Sequence, residues 1–363
     1  MIDVYWHDDV LEHDTGAGVF EAVASELMAV DEPHPENATR VRNMKAILER
    51  GPLSRHIRWR PGRHATRAEL ELVHEPGYID EIERVVAAGG GRVTPTTVAS
   101  PGTLAATTAA VGTTLAALDA ILDGETELAY ALVRPPGHHA APAQADGYCF
   151  FNSVAIAAEA ARRRGVERVA IVDWDVHHGN GTQACFYDRA DVLTISLHQA
   201  HGAWGPTHPQ TGGPDEVGEG AGRGMNVNVN LPFGTGDAGY LAAARRVVGP
   251  ALDEFGPELV IVAAGQDPSQ FDPNGRMCVT MAGFRALGAE ARAWGRRHGG
   301  RLLAVQEGGY APSYAAWCVH ATIEGMLGLE AQLADPLAYL PDEPDRAEAA
   351  IRATLDALAG ARA

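Results

Sequence analysis

Three side chains that can bind a metal follow one another at alternate positions near the middle of the chain. Asp173, Asp175 and His177 come directly after residues 168–172, a short and almost wholly apolar run that predicts the end of a buried strand. If the strand geometry continues, its period of two places all three side chains on one face. Carboxylate and imidazole groups together are typical of a divalent-metal site, usually zinc in a hydrolase. A solvated turn is the alternative, but charges that follow an apolar strand so closely favour the metal.

A third metal ligand is expected from elsewhere in the chain, because catalytic zinc usually has three protein ligands and one open position. Asp175 and His177 supply two of them. Asp267 is the best candidate for the third, since it follows the apolar run 259–264 after a single small residue and a glutamine. It should therefore lie at the same edge of the predicted sheet.

A pair of adjacent histidines, His138 and His139, follows another apolar run, 128–133. Such a pair suggests acid–base work on a water molecule that a metal activates. Each imidazole needs a partner on its far nitrogen, and we expect Asp173 to serve His138 and Asn180 to serve His139. Because an amide stabilises an imidazolium less than a carboxylate does, the two histidines should differ in basicity, and a neutral His139 could take the proton. Tyr310 is expected to donate a hydrogen bond to a developing oxyanion.

The elements that must position these residues alternate between apolar runs and helical segments, which predicts a parallel sheet covered on both faces. Ligands of such sheets bind beyond the carboxyl ends of the strands. We predict one α/β domain over residues 1–363, with three α/β/α layers and a mostly parallel central sheet. Residues 2–6 are expected to form an edge strand. The other strands are predicted at 128–133, 169–172, 192–197, 259–264 and 302–305, and the helices at 38–50, 103–122, 154–164, 240–255, 282–297 and 314–327.

In combination these residues resemble the arginase-fold histone deacetylase and acetylpolyamine amidohydrolase superfamily, specifically its class II-like bacterial members. The resemblance runs from about His34 to Leu327. The matching stretches are RPPGHHA (134–140), GYCFFNSVAIAA (147–158), VDWDVHHGNGT (172–182), SLHQ (196–199), NVNLPFGTGD (228–237) and QEGGY (306–310).

The resemblance implies the arginase/deacetylase-like fold, one zinc ion and a structural potassium ion beneath it. By this likeness Asp175, His177 and Asp267 bind zinc, His138 and His139 are the catalytic pair, and Tyr310 polarises the amide carbonyl. Gly147 and Tyr148 would line one wall of the substrate channel. The potassium ion would be surrounded by Asp173, Asp175, His177, Ser196 and Leu197.

The sequence departs from the family pattern around the expected substrate channel. Asn274 stands where lysine deacetylases often have leucine and polyamine deacetylases can have glutamate. The loop 200–213 is long, and its Trp204 and His208 are equally compatible with substrate contact and with loop packing. Residues 89–118 contain no carboxylate, although some family members use an aspartate there to hold the substrate backbone. A small-molecule substrate is therefore favoured over a peptide, with acyl-lysine as the other possibility.

Two other functions are compatible with the same fold. A dimanganese ureohydrolase would need a carboxylate-rich site for two metals. A catalytically silent protein that binds a ligand would be expected to have lost a zinc ligand or Tyr310. The sequence favours a zinc-dependent deacetylase that removes an acetyl or small acyl group from an amine.

Composition limits the remaining possibilities. The net charge is −18, with 47 acidic and 29 basic residues, which argues against nucleic-acid binding and mildly favours a cationic substrate. The four cysteines form no CxxC pair and indicate a reducing compartment. Residues 103–122 are too rich in Thr, Ala and Gly to predict a membrane span, and no secretory signal is apparent. We expect a cytoplasmic homo-oligomer without membrane contact.

Overall fold

Eight strands form one sheet at the centre of the protein, and every neighbouring pair is parallel. The computed structural model describes residues 1–18, 26–200, 210–337 and 347–362. The strands of the sheet are β1 (Ile2–Trp6), β2 (Ile57–Pro61), β5 (Leu128–Ala131), β6 (Val169–Asp173), β7 (Val192–Gln199), β8 (Asn226–Leu231), β9 (Leu259–Ala264) and β10 (Leu302–Gln306). Their order across the sheet is β2-β1-β5-β10-β9-β6-β7-β8. A separate antiparallel hairpin joins β3 (Gly91–Thr94) to β4 (Thr97–Ala99).

Helices cover both faces of the sheet and create two hydrophobic cores, so the fold has three layers. One core contains Ile79, Leu118 and Ile156, and the other contains Val41 and Leu287. The helices are α1 (Thr39–Arg50), α2 (Arg67–Leu70), α3 (Pro76–Ala87), α4 (Thr103–Leu122), α5 (Ser153–Arg163), α6 (Asn180–Phe186), α7 (Asp237–Ala243), α8 (Gly249–Phe255), α9 (Met281–Arg297), α10 (Pro312–Leu327) and α11 (Glu348–Arg362), with a π-helical turn (Ala244–Val248) between α7 and α8.

The predicted α/β architecture is confirmed, but the prediction that residues 2–6 form an edge strand was wrong. β1 pairs with both β2 and β5, so it is an interior strand and β2 is the edge. The other edge strand, β8, was also missed, because asparagine is normally depleted in strands. Its Asn226 and Asn228 are buried and donate to the side chain of Gln183, at 2.8 and 2.9 Å.

The prediction that residues 103–122 are too rich in Thr, Ala and Gly to span a membrane was also wrong. By length and composition alone, Thr103–Leu122 is apolar enough to cross a membrane, with a mean hydropathy of 1.4. In the fold, however, 72% of the most apolar 18-residue part of this helix is buried. The packing of α4 between β1, β5 and α5 accounts for its apolar character.

A buried ionic cluster connects the N-terminal segment to the end of β5 and to the loop after β10. Glu36 Oε1 accepts hydrogen bonds from Arg40 at 2.8 Å and from Arg134 at 2.7 Å, and all three side chains are fully buried. Burial alone would raise the pKa of Glu36, but the charges of Arg134 and Arg40 outweigh it and lower this pKa to about 2. Arg40 also donates to the carbonyls of Glu307 and Gly309, at 2.7 and 2.6 Å.

The cluster predicts a large stability loss when its single carboxylate is neutralised. Glu36→Gln should lower the free energy of unfolding by about 3–5 kcal/mol, because it leaves two buried guanidinium groups without a counter-charge. Glu49→Gln is the control, since Glu49 pairs with Lys45 at the exposed surface of α1 and should cost less than about 1 kcal/mol. Chemical denaturation of both variants measures the difference. Equal losses would show that the buried cluster is not stabilised by its charges.

Candidate active site

The predicted polar residues meet at the carboxyl ends of four strands that are neighbours in the sheet. β5, β10, β9 and β6 lie side by side. His138 and His139 follow β5, and Tyr310 follows β10. Asp267 follows β9, and β6 ends with Asp173 and is followed by Asp175 and His177. Because parallel strands end at one edge, this order brings together side chains that are up to 172 positions apart in sequence, from His138 to Tyr310.

Asp175, His177 and Asp267 form a buried three-residue cluster of the kind that binds a metal. One ligand atom from each lies within 4.8 Å of the others. His177 Nδ1 is 3.1 Å from Asp175 Oδ1 and 3.2 Å from Asp267 Oδ2. On the far side of the ring, His177 Nε2 is 3.3 Å from the carbonyl of Asn274, the kind of contact that orients a metal-ligating imidazole.

This donor set fits a divalent cation. Burial raises the pKa of Asp267 well above its usual value, and the charge of Asp175 raises it further. Asp267 Oδ2 is buried and accepts no hydrogen bond within the described residues. A buried oxygen of this kind needs a cation or a donor. Two glycines leave room for these carboxylates: a Cβ on Gly308 would lie 2.1 Å from Asp267 Oδ2, and one on Gly265 would lie 2.3 Å from Asp175 Oδ2.

The backbone that carries the cluster is a pair of turns, so the condition of a continued strand, on which the placement of the three side chains on one face depended, is not met. β6 ends at Asp173. Asp173 Oδ1 then accepts a hydrogen bond from the backbone N–H of Asp175 at 2.9 Å, and Asp175 Oδ1 accepts one from that of His177 at 3.0 Å. Short carboxylates that bind the backbone two residues ahead favour turns over strands. The three side chains are nevertheless all buried at this end of β6.

The two histidines have different partners and different electrostatic surroundings. His138 Nδ1 lies 2.7 Å from Asp173 Oδ2, and His139 Nδ1 lies 2.5 Å from Asn180 Oδ1. Burial alone would lower the pKa of His138, but the Asp173 and Asp175 charges outweigh it and raise this pKa well above its usual value. For His139, burial and the neighbouring His138 lower the pKa to about 3. His138 is therefore the more basic of the two imidazoles, because it lies beside carboxylates whereas His139 lies beside His138.

Tyr310 is held in the loop after β10 by a backbone hydrogen bond and by two contacts of its ring. Its N–H donates to Asp272 Oδ2 at 2.6 Å. The Arg40 guanidinium lies 4.4 Å from the ring centroid, and Tyr148 packs edge-on at 5.6 Å. Burial raises the pKa of Tyr310 well above its usual value. The phenol therefore keeps its proton at neutral pH and can donate a hydrogen bond.

The expected channel residues are only partly described. Gly147 and Tyr148 both have left-handed backbone angles, with φ of 49° and 71°, which is uncommon for a bulky residue such as tyrosine. Asn274 is buried, and its Nδ2 lies 3.3 Å from the hydroxyl of Tyr148, so the two side chains are in contact. Trp204 and His208 lie outside the described residues.

The residues expected around potassium also converge. Ser196 lies directly opposite Asp173 in the pairing of β6 with β7, and Leu197 follows it. All five of the expected residues, Asp173, Asp175, His177, Ser196 and Leu197, are buried.

Sequence reasoning missed two carboxylates that support the site from behind. Glu307 Oε2 accepts hydrogen bonds from the backbone N–H groups of Gly137 and His138, at 2.6 and 3.2 Å. Asp272 binds the N–H groups of Tyr310 and Asn274. Glu307 lies inside the QEGGY stretch, three residues before Tyr310, and this closeness in sequence was the one indication that it belongs to the site. Nothing in the sequence indicated which loop it would contact.

Fold and site together define a hydrolase of the arginase/deacetylase-like α/β class with a candidate metal centre. Comparison with known proteins identifies the family. The histone deacetylase domain profile matches residues 34–326. Histone deacetylase 8 of Arabidopsis thaliana is 49% identical over 96% of this chain and 94% of its own length. The chain belongs to the histone deacetylase family and is an enzyme that acts on acetylated amines.

Other similar proteins are named for several substrates. A histone deacetylase-like amidohydrolase of Pseudomonas aeruginosa is 44% identical over 84% of this chain and 80% of that protein. Polyamine deacetylase HDAC10 of Homo sapiens is 37% identical over 81% of this chain and 44% of that protein. The crystal structure of the HDA15 HD domain superposes with a TM-score of 0.83 at 33% identity, covering 99% of this chain and 98% of that one. These relatives come from a plant, a bacterium and a human, so the bacterial origin stays a prediction.

The cluster geometry predicts that Asp267 is required for metal binding. Asp267→Ala should purify without its stoichiometric divalent ion, because only two ligands remain and tight sites need at least three. Elemental analysis of the purified protein measures the content of divalent metal per chain. Asp215→Ala, which removes an exposed carboxylate, should leave it unchanged. Full metal occupancy in Asp267→Ala would remove this residue from the ligand set.

Proposed function

We propose that this protein is a zinc-dependent amidohydrolase that removes an acetyl or other small acyl group from an amine. The observation that carries the proposal is the buried Asp175, His177 and Asp267 cluster beside a histidine pair and a tyrosine donor. Zinc is favoured because the donors are one imidazole and two carboxylates in a buried hydrolase site. A bound divalent ion would polarise the acyl carbonyl and make a water molecule more acidic.

The residues of the chain divide the remaining work. His139 is neutral and accepts the proton of the attacking water. His138, which Asp173 keeps positively charged, stabilises negative charge and supplies a proton to the departing amine. The phenol of Tyr310 donates a hydrogen bond to the carbonyl oxygen as its charge develops.

A single metal is favoured over the two metals of a ureohydrolase. Next to the cluster, the groups that could hold a second ion include His138 and His139, and these pair with Asp173 and Asn180. A catalytically silent protein is disfavoured because the expected ligands and Tyr310 are all present. We also propose a structural potassium ion among Asp173, Asp175, His177, Ser196 and Leu197, since these residues are buried at the shared ends of β6 and β7.

We propose a small N-acylated amine as the substrate, with weak activity on acetyl-lysine peptides. The net charge of −18 attracts a cationic amine. Asn274 contributes a neutral amide to the channel wall. A carboxylate at this position would hold the distant ammonium group of a polyamine more strongly. Residues 89–118 provide no carboxylate to hold a peptide backbone. One relative, HDAC10, is named a polyamine deacetylase, which makes acetylpolyamines natural first candidates.

An activity screen tests the proposed function. Zinc-loaded protein should hydrolyse small N-acetyl amines and acetylpolyamines faster than acetyl-lysine peptides, as measured by release of acetate. Hydrolysis of guanidino compounds without acetate release from any amide would support the ureohydrolase instead. Tight binding of acylated amines without turnover would support the silent alternative.

The role of Tyr310 predicts a loss of turnover without a loss of metal. Tyr310→Phe should reduce kcat by about two to three orders of magnitude, the usual effect of removing one oxyanion donor. Metal content and thermal stability should remain near those of the parent protein. Tyr314→Phe is a matched control, because Tyr314 lies on α10 and bonds to Asp335 at 2.8 Å. Parent-like turnover in Tyr310→Phe would exclude the tyrosine from oxyanion stabilisation.

The channel position of Asn274 predicts a change in substrate preference. Asn274→Glu should raise kcat/KM for acetylspermidine relative to a neutral N-acetyl amine of similar length, because it adds a negative charge beside Tyr148. Competition kinetics with the two substrates in one reaction measure the ratio. The same ratio in both proteins would mean that this residue does not face the substrate.

A further inference from the structure

Behind His139, the chain of hydrogen bonds does not stop at Asn180. The side-chain Nδ2 of Asn180 donates to Asp146 Oδ2 at 3.3 Å, while Asn180 Oδ1 lies 2.5 Å from His139 Nδ1. Asp146 is buried, and so is His139. The His139 imidazole therefore reaches a carboxylate through one intervening amide, whereas His138 contacts the Asp173 carboxylate directly.

We propose that Asp146 is a positioning residue, which fixes the orientation of the Asn180 amide and, through it, the tautomer of His139. This inference rests on the proposed function, in which His139 accepts a proton from water.

The tautomer of His139 follows from which of the neighbouring atoms can donate a hydrogen bond. An ionised carboxylate only accepts hydrogen bonds, so Asp146 requires the NH₂ end of the Asn180 amide. The carbonyl end must then face His139, and it too only accepts. His139 Nδ1 must therefore carry the hydrogen, which leaves the lone pair of the neutral imidazole on Nε2, at the opposite side of the ring. That nitrogen is the one able to take a proton.

Without Asp146, the amide would have no fixed direction. A flipped Asn180 would point its NH₂ group at Nδ1 and would favour the opposite tautomer, with the hydrogen on Nε2 and no base available. A cavity of about 380 Å³ has His139, Asn180 and Asp146 in its wall. Water in a cavity of that size can bond to either end of the amide. The carboxylate is what makes the two orientations unequal in energy.

A tight turn holds Asp146 at the required place. Asp146 and Cys149 exchange backbone hydrogen bonds, at 3.2 and 2.7 Å. Gly147 and Tyr148, between them, both have positive φ. A Cβ on Gly147 would lie 2.3 Å from His139 Cδ2, so the turn lies directly against the imidazole edge. On the other side, the Asn180 backbone begins α6. Both ends of the relay are therefore anchored by backbone.

A double-mutant cycle between positions 146 and 180 tests the proposal. Asp146→Asn should lower kcat by about 10- to 100-fold, part of the usual contribution of a general base, with KM changed less than about twofold and metal content unchanged. In the Asn180→Asp background the same substitution should cost less than about twofold, because a carboxylate at position 180 itself only accepts and needs no second residue to orient it. Asp146→Glu, which keeps the carboxylate, should recover part of the activity. Asp215→Asn controls for loss of a negative charge elsewhere.

NMR of the imidazole nitrogens supplies a readout that does not depend on turnover. With ¹⁵N-labelled histidine, and His139 assigned by comparison with His139→Gln, the parent protein should show the Nδ1–H tautomer. Asp146→Asn should show a mixture or the Nε2–H form. The proposal is overturned if the parent protein carries the hydrogen on Nε2, or if Asp146→Asn lowers kcat equally in both backgrounds. A parent protein that hydrolyses no acylated amine would defeat the proposed function, and the NMR result would still decide the tautomer.

Discussion

Two carboxylates, Asp175 and Asp267, are buried side by side, and the rest of the site depends on this unfavourable arrangement. Burial and mutual repulsion raise the pKa of Asp267 well above its usual value. Like charges in a low-dielectric interior are costly unless a cation or hydrogen-bond donors compensate them. The surroundings supply several donors: Gly308 N–H binds Asp175 Oδ2 at 2.7 Å, and Val176 N–H binds Asp267 Oδ1 at 2.8 Å. Asp267 Oδ2 is left facing His177, which is where a divalent ion fits.

The parallel sheet makes this arrangement possible. Strands β6 and β9 are hydrogen-bonded neighbours, so the segments after them emerge together and bring Asp175 to Asp267. Strands β5 and β10 extend the same edge and add His138, His139 and Tyr310. Behind this layer, Glu36 with its two arginines and Glu307 bind the loops that carry these residues. Glu36 and Glu307 therefore hold loops that have no regular backbone hydrogen bonding of their own.

The sequence was sufficient to predict the six interior strands of the sheet and the residues that follow their carboxyl ends, because both follow from local patterns. Apolar runs identify strands, and Asp173, Asp175, His177 and Asp267 each lie a few residues after one. Partners were harder to predict. Arg40 lies in a helix far from the site in sequence, and its contacts with the Tyr310 ring and the Glu307 carbonyl depend on how α1 packs. Asp146 was overlooked since a lone aspartate in a loop resembles many others. The edge strands β2 and β8 were missed because they carry charges, a proline or asparagines, which suit sheet edges but not strand propensity.

The central claim is that one divalent ion, held by Asp175, His177 and Asp267, is required for hydrolysis of an acylated amine. Titration of chelator-treated protein with Zn²⁺, followed by acetate release from a small N-acetyl amine, tests it most directly. The account predicts no turnover without metal. As Zn²⁺ is added, the rate of acetate release should rise linearly and stop rising at one equivalent of Zn²⁺ per chain. Full turnover in the metal-free protein, or a rise that continues to two equivalents, would contradict it.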